Sequence, residues 1–275
     1  MEIQYITSRS NGTVLKAASL KEKKYRDEHG LFLAEGWKLF EEAVFSRLPI
    51  VSLLIAESKK DAYLDRAQKM LFEAKMEKVS IFVLAEPCFL KISSEKAPQG
   101  VIAVIKHLDF FEECIKINMK DIFEETHALC LCSVRDPGNL GAIVRSAAAF
   151  GTDTLILSSD CADVYNPKTL RAAMGSLFKL RIFTVEDLAS SIQVLREGGR
   201  RVYAAELTDR AVSVKTIDLR ENDIFVIGNE GHGIPSEISA HCTGSAYIPI
   251  VAGVESLNAS VAASVLLWEL GKDRL

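Results

Sequence analysis

The chain has 275 residues, is 48% hydrophobic and 25% charged, and carries a net charge of −4. That composition belongs to a globular protein able to bury one or two full cores. No apolar run reaches the ~18 residues that cross a bilayer, so neither a membrane span nor a membrane partner is expected.

In chain order, the opening MEIQYITSRSNG lacks the apolar core of a signal peptide. Six cysteines (Cys88, Cys114, Cys130, Cys132, Cys161 and Cys242) show no C-x-x-C spacing. Neither a disulfide framework nor a metal site is therefore expected, and a reducing cytoplasm is the natural compartment. Between Arg9 and Arg26 the cations Arg9, Lys16, Lys21, Lys23, Lys24 and Arg26 face Glu22 alone. Such a patch either contacts several phosphates or forms a solvated helix face, and charge alone favours the solvated face. Within it, Ser19 and Glu22 have the spacing of a capping box, and Ser58 to Asp61 reads as the start of an amphipathic helix. The apolar runs Val51–Ala56, Val79–Leu84 and Val101–Ile105 read as buried strands. Residues 106–127 are acidic and amphipathic, and the junction between two domains, 1–105 and 128–275, is expected there. The charge divides at the same place, with a net +2 in residues 1–105 and −6 beyond them.

From Ala128 onward, apolar strands at 128–134, 154–158, 201–205, 223–228 and 246–250 alternate with helical patterns, which predicts a mostly parallel sheet covered on both faces. Three strand–loop–helix units stand out. In the first, SVRDPGNLGAIVRSAAAFG, Asn139 is a good N-cap for a helix carrying Arg145. The second, IFVIGNEGHGIPSEI, holds Gly228, Gly231 and Gly233, then Pro235 at a position suited to the first helical turn. In the third, AYIPIVAGVESLNASVAASVLLWEL, Gly253 precedes a helix start at Ser256-Leu257-Asn258, with Val261, Val265 and Trp268 as the apolar face. Loops at the carboxyl ends of strands are where open α/β sheets bind ligands. Each residue also has a plain alternative: the glycines as turn residues, Arg145 as a solvated arginine, Glu230 as a loop carboxylate, Asn258 as a cap.

Together, the three stretches resemble the motifs of the SpoU (TrmH) family of RNA ribose 2′-O-methyltransferases, within the SPOUT superfamily. The first motif is matched by Asn139, Gly141, Ala142, Ile143 and Arg145. Gly228, Glu230, Gly231 and Gly233 match the second. The third is matched by Ile248, Pro249, Gly253, Ser256, Leu257, Asn258, Ser260, Val261 and Ala262. RAAMGSLFKL (171–180) is similar to a further family stretch. The first 105 residues resemble the ribosomal-protein-like substrate-binding domain found in many of these enzymes, with Gly12 where the family often has proline.

The resemblance implies a small α/β RNA-binding domain, then an α/β SPOUT domain whose mostly parallel sheet carries a C-terminal trefoil knot, an exception to the general rarity of knots. It implies S-adenosylmethionine as cofactor, held around Gly228, Ile248 and Leu257, with Asn229, Gly233, Pro249 and Gly253 in the same loops. It implies a catalytic group of Asn139, Arg145, Glu230, Ser256 and Asn258. Large-subunit ribosomal RNA is the expected substrate, with Arg9, Lys16, Lys21, Lys23, Lys24 and Arg26 contacting it, and a homodimer is the expected assembly. A transfer-RNA ribose methyltransferase, a base methyltransferase and an RNA-binding assembly protein without activity stay open as alternatives. A nicotinamide enzyme is disfavoured by the missing G-x-G-x-x-G.

Overall fold

The computed structural model describes residues 3–118, 126–229 and 231–272. The chain divides into two compact units, Met1–Leu108 with Tyr165–Phe178, and Asp109–Val164 with Lys179–Leu275.

The first unit is built from β1 (Ile3–Ile6), α1 (Gly12–Ser19), α2 (Lys23–His29), β2 (Leu31–Glu35), α3 (Trp37–Phe45), β3 (Ile50–Ala56), α4 (Lys60–Glu73), β4 (Ser80–Leu84), α5 (Glu86–Ile92) and β5 (Val101–Lys106). Its strands form one mixed sheet in the order β1-β4-β3-β5-β2. Side chains alternate across a strand, and both faces are used. Leu54, Ala56, Ile102 and Val104 pack with Val14 and Ala17 of α1 and Phe89 and Ile92 of α5. Their neighbours Leu53, Ile55, Val101 and Ala103 are buried on the other face, where α3 lies against β5 and α4 against β3.

Two local expectations change here. Ser19 does not open a helix: it closes α1, its hydroxyl donating to the Lys16 carbonyl at 2.8 Å. The next helix starts at Lys23 with Glu22 as N-cap and no side-chain cap bond, so the spacing of a capping box is present without its hydrogen bonds. Arg26 is also not a phosphate contact. It is 3% exposed, and its Nη1 donates to the carbonyls of Leu20 and Lys21 at 2.9 and 2.8 Å, closing the end of α1 that lacks helical partners.

In the second unit come β6 (Phe111–Cys114), β7 (Ala128–Leu131), α6 (Pro137–Ala149) and β8 (Thr154–Ser158). The helix that follows, α7 (Pro167–Ala173), belongs by its contacts to the first unit. There Tyr165 stacks on Phe32 with ring centroids 4.5 Å apart, and Arg171 pairs with Glu95 at 2.5 Å. The second unit resumes with β9 (Arg181–Val185), α8 (Leu188–Glu197), β10 (Val202–Ala205), β11 (Val212–Ser213), β12 (Ile224–Ile227), α9 (Ser236–Ser239), β13 (Gly244–Tyr247) and α10 (Ala259–Gly271). Among the described residues its sheet has eight strands, in the order β11-β13-β10-β12-β7-β8-β9-β6. Every pairing is parallel.

A wholly parallel sheet is buried on both faces, and this one is. Cys130, Ile156 and Val226 pack with Leu188, Ile192 and Leu195 of α8. The alternate residues Leu129, Leu155 and Phe225 are equally buried, and α10 lies against β12 and α6 on the sheet. The cysteines are free thiols. Burial pushes the Cys161 thiol up to about 11 and that of Cys242 to about 12, so both stay protonated at neutral pH.

The observed strands end sooner than the apolar runs. β12 stops at Ile227, before Gly228, and β13 at Tyr247, ahead of Pro249, which has no N–H for a ladder. Gly228, Ile248 and Pro249 therefore sit at the start of loops, past the carboxyl ends of parallel strands.

Candidate active site

The first loop runs from β7 into α6. Asp136, not Asn139, caps the helix: its Oδ1 accepts the Asn139 N–H at 2.9 Å. Pro137 takes the first helical position, where its missing N–H leaves nothing unpaired and its fixed φ suits the turn. Asn139 is thereby placed inside the first turn, where its side chain reaches another element. Asn258, which caps α10 through a 2.9 Å bond from the Ser260 N–H, donates from Nδ2 to the Asn139 Oδ1 at 3.1 Å.

That contact opens a seam along two parallel helices. Farther on, Ser146 and Ser264 hydroxyls meet at 2.7 Å, and the Phe150 and Trp268 rings pack edge to face at 5.7 Å. Asn139 and Ser146 share this face because seven residues bring a helix back to within about 20°. Arg145 does not share it. Six residues from Asn139, it lies about 9 Å along the axis and about 120° around. It is exposed and makes no hydrogen bond or ion pair with any described residue.

The face of α10 turned to the core is Ala259, Ala263, Leu266 and Leu267, not the expected one. Val261 and Trp268 are 48% and 47% exposed. Small residues let α10 approach the sheet and α6 closely, and the larger apolar side chains are left outside.

The second loop is a tight reversal. Asn229 and Gly233 exchange backbone hydrogen bonds at 3.1 and 2.9 Å, and Gly233 has φ +67°, which favours glycine. A Cβ on Gly228 would lie 2.6 Å from the Gly233 carbonyl carbon and 2.7 Å from its oxygen, so only glycine fits. The Asn229 side chain works in both directions. Its Oδ1 accepts from the Gly231 N–H at 2.9 Å, and its Nδ2 donates to the Ser133 carbonyl in the first loop at 2.8 Å. Pro235 is the N-cap of the four-residue α9 rather than its first helical residue. Glu230 lies outside the described residues. In the third loop, Gly253 has φ +93°, and Ser256 is exposed with Leu257 half-buried beside it.

Side-chain bonds thus join the first loop to the second (Ser133 to Asn229) and to the third (Asn139 to Asn258). Ser133, Arg135, Asp136 and Asp160 belong to this junction and are not singled out by the sequence motifs. Asp160 follows the carboxyl end of β8, the same signal that marks the other loops. These features fit a bound nucleoside cofactor: a glycine cradle with no room for a side chain, half-buried backbone past three strand ends, and side-chain links that hold the loops in one arrangement. In the first unit, Arg9, Lys16, Lys21, Lys23 and Lys24 are exposed. Lys23 is paired with Asp27 at 3.1 Å.

Comparison with known proteins agrees with this architecture. Residues 126–268 match the SpoU rRNA methylase family, and residues 11–103 match the MRM3-like substrate-binding domain. The 23S rRNA (guanosine(2553)-2′-O)-methyltransferase RlmP of Bacillus subtilis is 30% identical, covering 98% of this chain and 99% of its own length. The 23S rRNA (guanosine-2′-O-)-methyltransferase RlmB of Coxiella burnetii is 31% identical over 82% of this chain and 88% of its own. Among solved structures, the AdoMet-bound rRNA methyltransferase of Sinorhizobium meliloti superposes with a TM-score of 0.84 at 28% identity, covering 99% of both chains. The glycine cradle, the linked loops and these matches along the whole chain place the protein in the SpoU rRNA methylase family.

Proposed function

We propose that the substrate of this S-adenosylmethionine-dependent RNA 2′-O-methyltransferase is large-subunit ribosomal RNA. The observation that carries this reading is the likeness to RlmP across both units, substrate-binding domain included.

S-adenosylmethionine, when bound, supplies a methyl group on a sulfonium. The rest falls to the chain. Gly228, Asn229 and Gly233 with Ile248, Pro249, Gly253 and Leu257 hold the cofactor, mainly through backbone, and the trefoil knot expected from the family is the arrangement that brings these loops together. Arg145 cannot serve as a base, because its guanidinium stays protonated. Exposed and without a described partner, it binds the phosphate beside the target ribose and polarises the 2′-hydroxyl, whose proton leaves to phosphate or water. Asn139 and Asn258 orient the first and third loops through their mutual bond, with Ser256 and Glu230 completing the group.

Mapping 2′-O-methyl positions in ribosomal and transfer RNA with and without the protein tests the proposal. A new modified nucleotide in large-subunit ribosomal RNA is the expected result. Methylation confined to transfer RNA, or none, overturns it.

Arg9, Lys16, Lys21 and Lys24 supply phosphate contacts from the first unit, with Lys23 shared with Asp27. Replacing Lys16, Lys21 and Lys24 by alanine lowers the log–log salt slope of RNA binding by about two units, at ~0.7 per single-strand contact. An unchanged slope assigns these lysines to a solvated face. The outward Val261 and Trp268, with half-buried Val265 between them, form the surface through which two copies pair, since exposed apolar side chains mark contact sites. Sedimentation showing a single monomeric species at micromolar concentration removes the dimer. A ribosomal RNA substrate fits a cytoplasmic enzyme, as does a reducing compartment in which thiols persist.

A further inference from the structure

Arg135 stands between the two links that tie the site together. Two residues before it, Ser133 is joined to Asn229. Directly after it, Asp136 caps the helix that presents Asn139 to Asn258. Ser133 has φ +56°, a conformation that is strained for a non-glycine residue and must be imposed by its surroundings. Its N–H donates to the Ser158 hydroxyl at 2.8 Å, its own hydroxyl to Asp160 at 2.6 Å, and its carbonyl accepts from Asn229.

Asp160 is the anchor of this arrangement. Its Oδ1 accepts from Ser158 at 2.6 Å, and its Oδ2 accepts from Ser133 and from the Arg135 Nη2 at 2.8 Å. Partial burial works against its ionisation, but the bonds from Ser133, Ser158 and Arg135 outweigh that and hold the carboxyl at about 2. It is ionised at any working pH.

Arg135 has one terminal nitrogen on this carboxylate, and its side chain is 67% exposed. It makes no other hydrogen bond to a described residue. A guanidinium has five N–H donors in one plane. One is held by the carboxylate, and the exposed side chain leaves the others open to solvent beside the first loop of the site. An exposed ion pair contributes little to stability, which is little reason to commit a carboxylate with three donors. Orienting a fork for an oxyanion is a better one.

We propose that Arg135, held in place by Asp160, is a second phosphate-binding guanidinium of the RNA site, acting independently of Arg145. The proposal rests on the RNA substrate read above. The same chemistry would also fit the carboxylate of the cofactor, but the open, solvent-facing position of Arg135 favours the larger, outside ligand.

The test uses the full chain and an unmodified large-subunit ribosomal RNA transcript. Arg135→Gln raises the KM for RNA about tenfold, the lower end of what a charged hydrogen bond contributes. It lowers the salt slope of binding by ~0.7 unit, while kcat stays within about a factor of two and S-adenosylmethionine affinity by calorimetry is unchanged, which also controls for folding. Asp160→Asn raises the RNA KM several-fold alone and adds nothing in the Arg135→Gln background. Unchanged KM and slope in Arg135→Gln, against a wild type that binds the transcript, overturn the proposal without touching the substrate assignment. Weakened cofactor binding in Arg135→Gln reassigns the guanidinium to the cofactor carboxylate. An Asp160→Asn effect that persists undiminished in the double variant makes Asp160 a loop anchor only and removes its positioning role. A wild type with no affinity for the transcript overturns both readings.

Discussion

Replacing Arg145 by lysine lowers turnover by about a hundredfold, the scale on which losing one preorganised electrostatic contact acts, and leaves S-adenosylmethionine binding as it was. Lysine keeps the positive charge but is a point donor, without the planar fork that holds a phosphate and a hydroxyl at once. If charge alone steered the RNA, the lysine variant would retain most of its activity. The side chain is exposed and free of described partners, so the substitution disturbs no packing and the loss is chemical. The proposed cofactor contacts lie in the second and third loops, and Arg145 projects about 120° around α6 from Asn139, the residue bonded to the third loop. Single-turnover rates with cofactor affinity measured in parallel decide the matter: near-normal turnover removes Arg145 from the catalytic group.

Replacing Gly228 by alanine has the opposite signature. The added methyl would sit 2.6 and 2.7 Å from the carbonyl carbon and oxygen of Gly233. Those are backbone atoms of a closed reversal, pinned by the two hydrogen bonds between Asn229 and Gly233, and a rotamer change cannot move them. Overpacking of this kind costs about 1–3 kcal/mol. Charged to the loop proposed to hold the cofactor, that weakens S-adenosylmethionine binding by roughly ten- to a hundredfold. RNA affinity, proposed above to rest on the first unit and on exposed guanidiniums, stays close to normal. Calorimetry with cofactor and with RNA separately gives both numbers. A variant with wild-type cofactor affinity shows that the loop can open without loss.

The three strand–loop–helix units were legible because they combine a short continuous apolar run, a turn containing glycine and a helix start, each with its own physical cause. The errors have causes too. Asp136 and Asn139 are both good caps, and the proline at the first helical position was the cue that Asp136 comes first. The face of α10 was misread because that helix is apolar nearly all round. Size then decides which side goes inward, and the close approach to α6 selects alanine over valine and tryptophan. Arg26 sat in a run of cations with nothing in its periodicity to mark it as buried. The strands Leu31–Glu35, Phe111–Cys114 and Arg181–Val185 escape a pattern reading because short segments carry too few residues for a period. The Asp160 network joins residues from three separate loops, a proximity that only the folded sheet creates.

The assignment of Tyr165–Phe178 to the first unit bears on synthesis. A ribosome that has finished residue 108 has delivered every strand of the first sheet, but not the segment whose Tyr165 stacks on Phe32 and whose Leu170 is buried. Residues 109–178 must still emerge, which takes several seconds at ~5–20 residues per second. During that interval the nascent first unit shows an uncovered apolar face, and the early strands of the second sheet appear before the first unit is complete. Folding of the two units is therefore interleaved rather than successive, and a chaperone acting on this protein during translation meets it in that window.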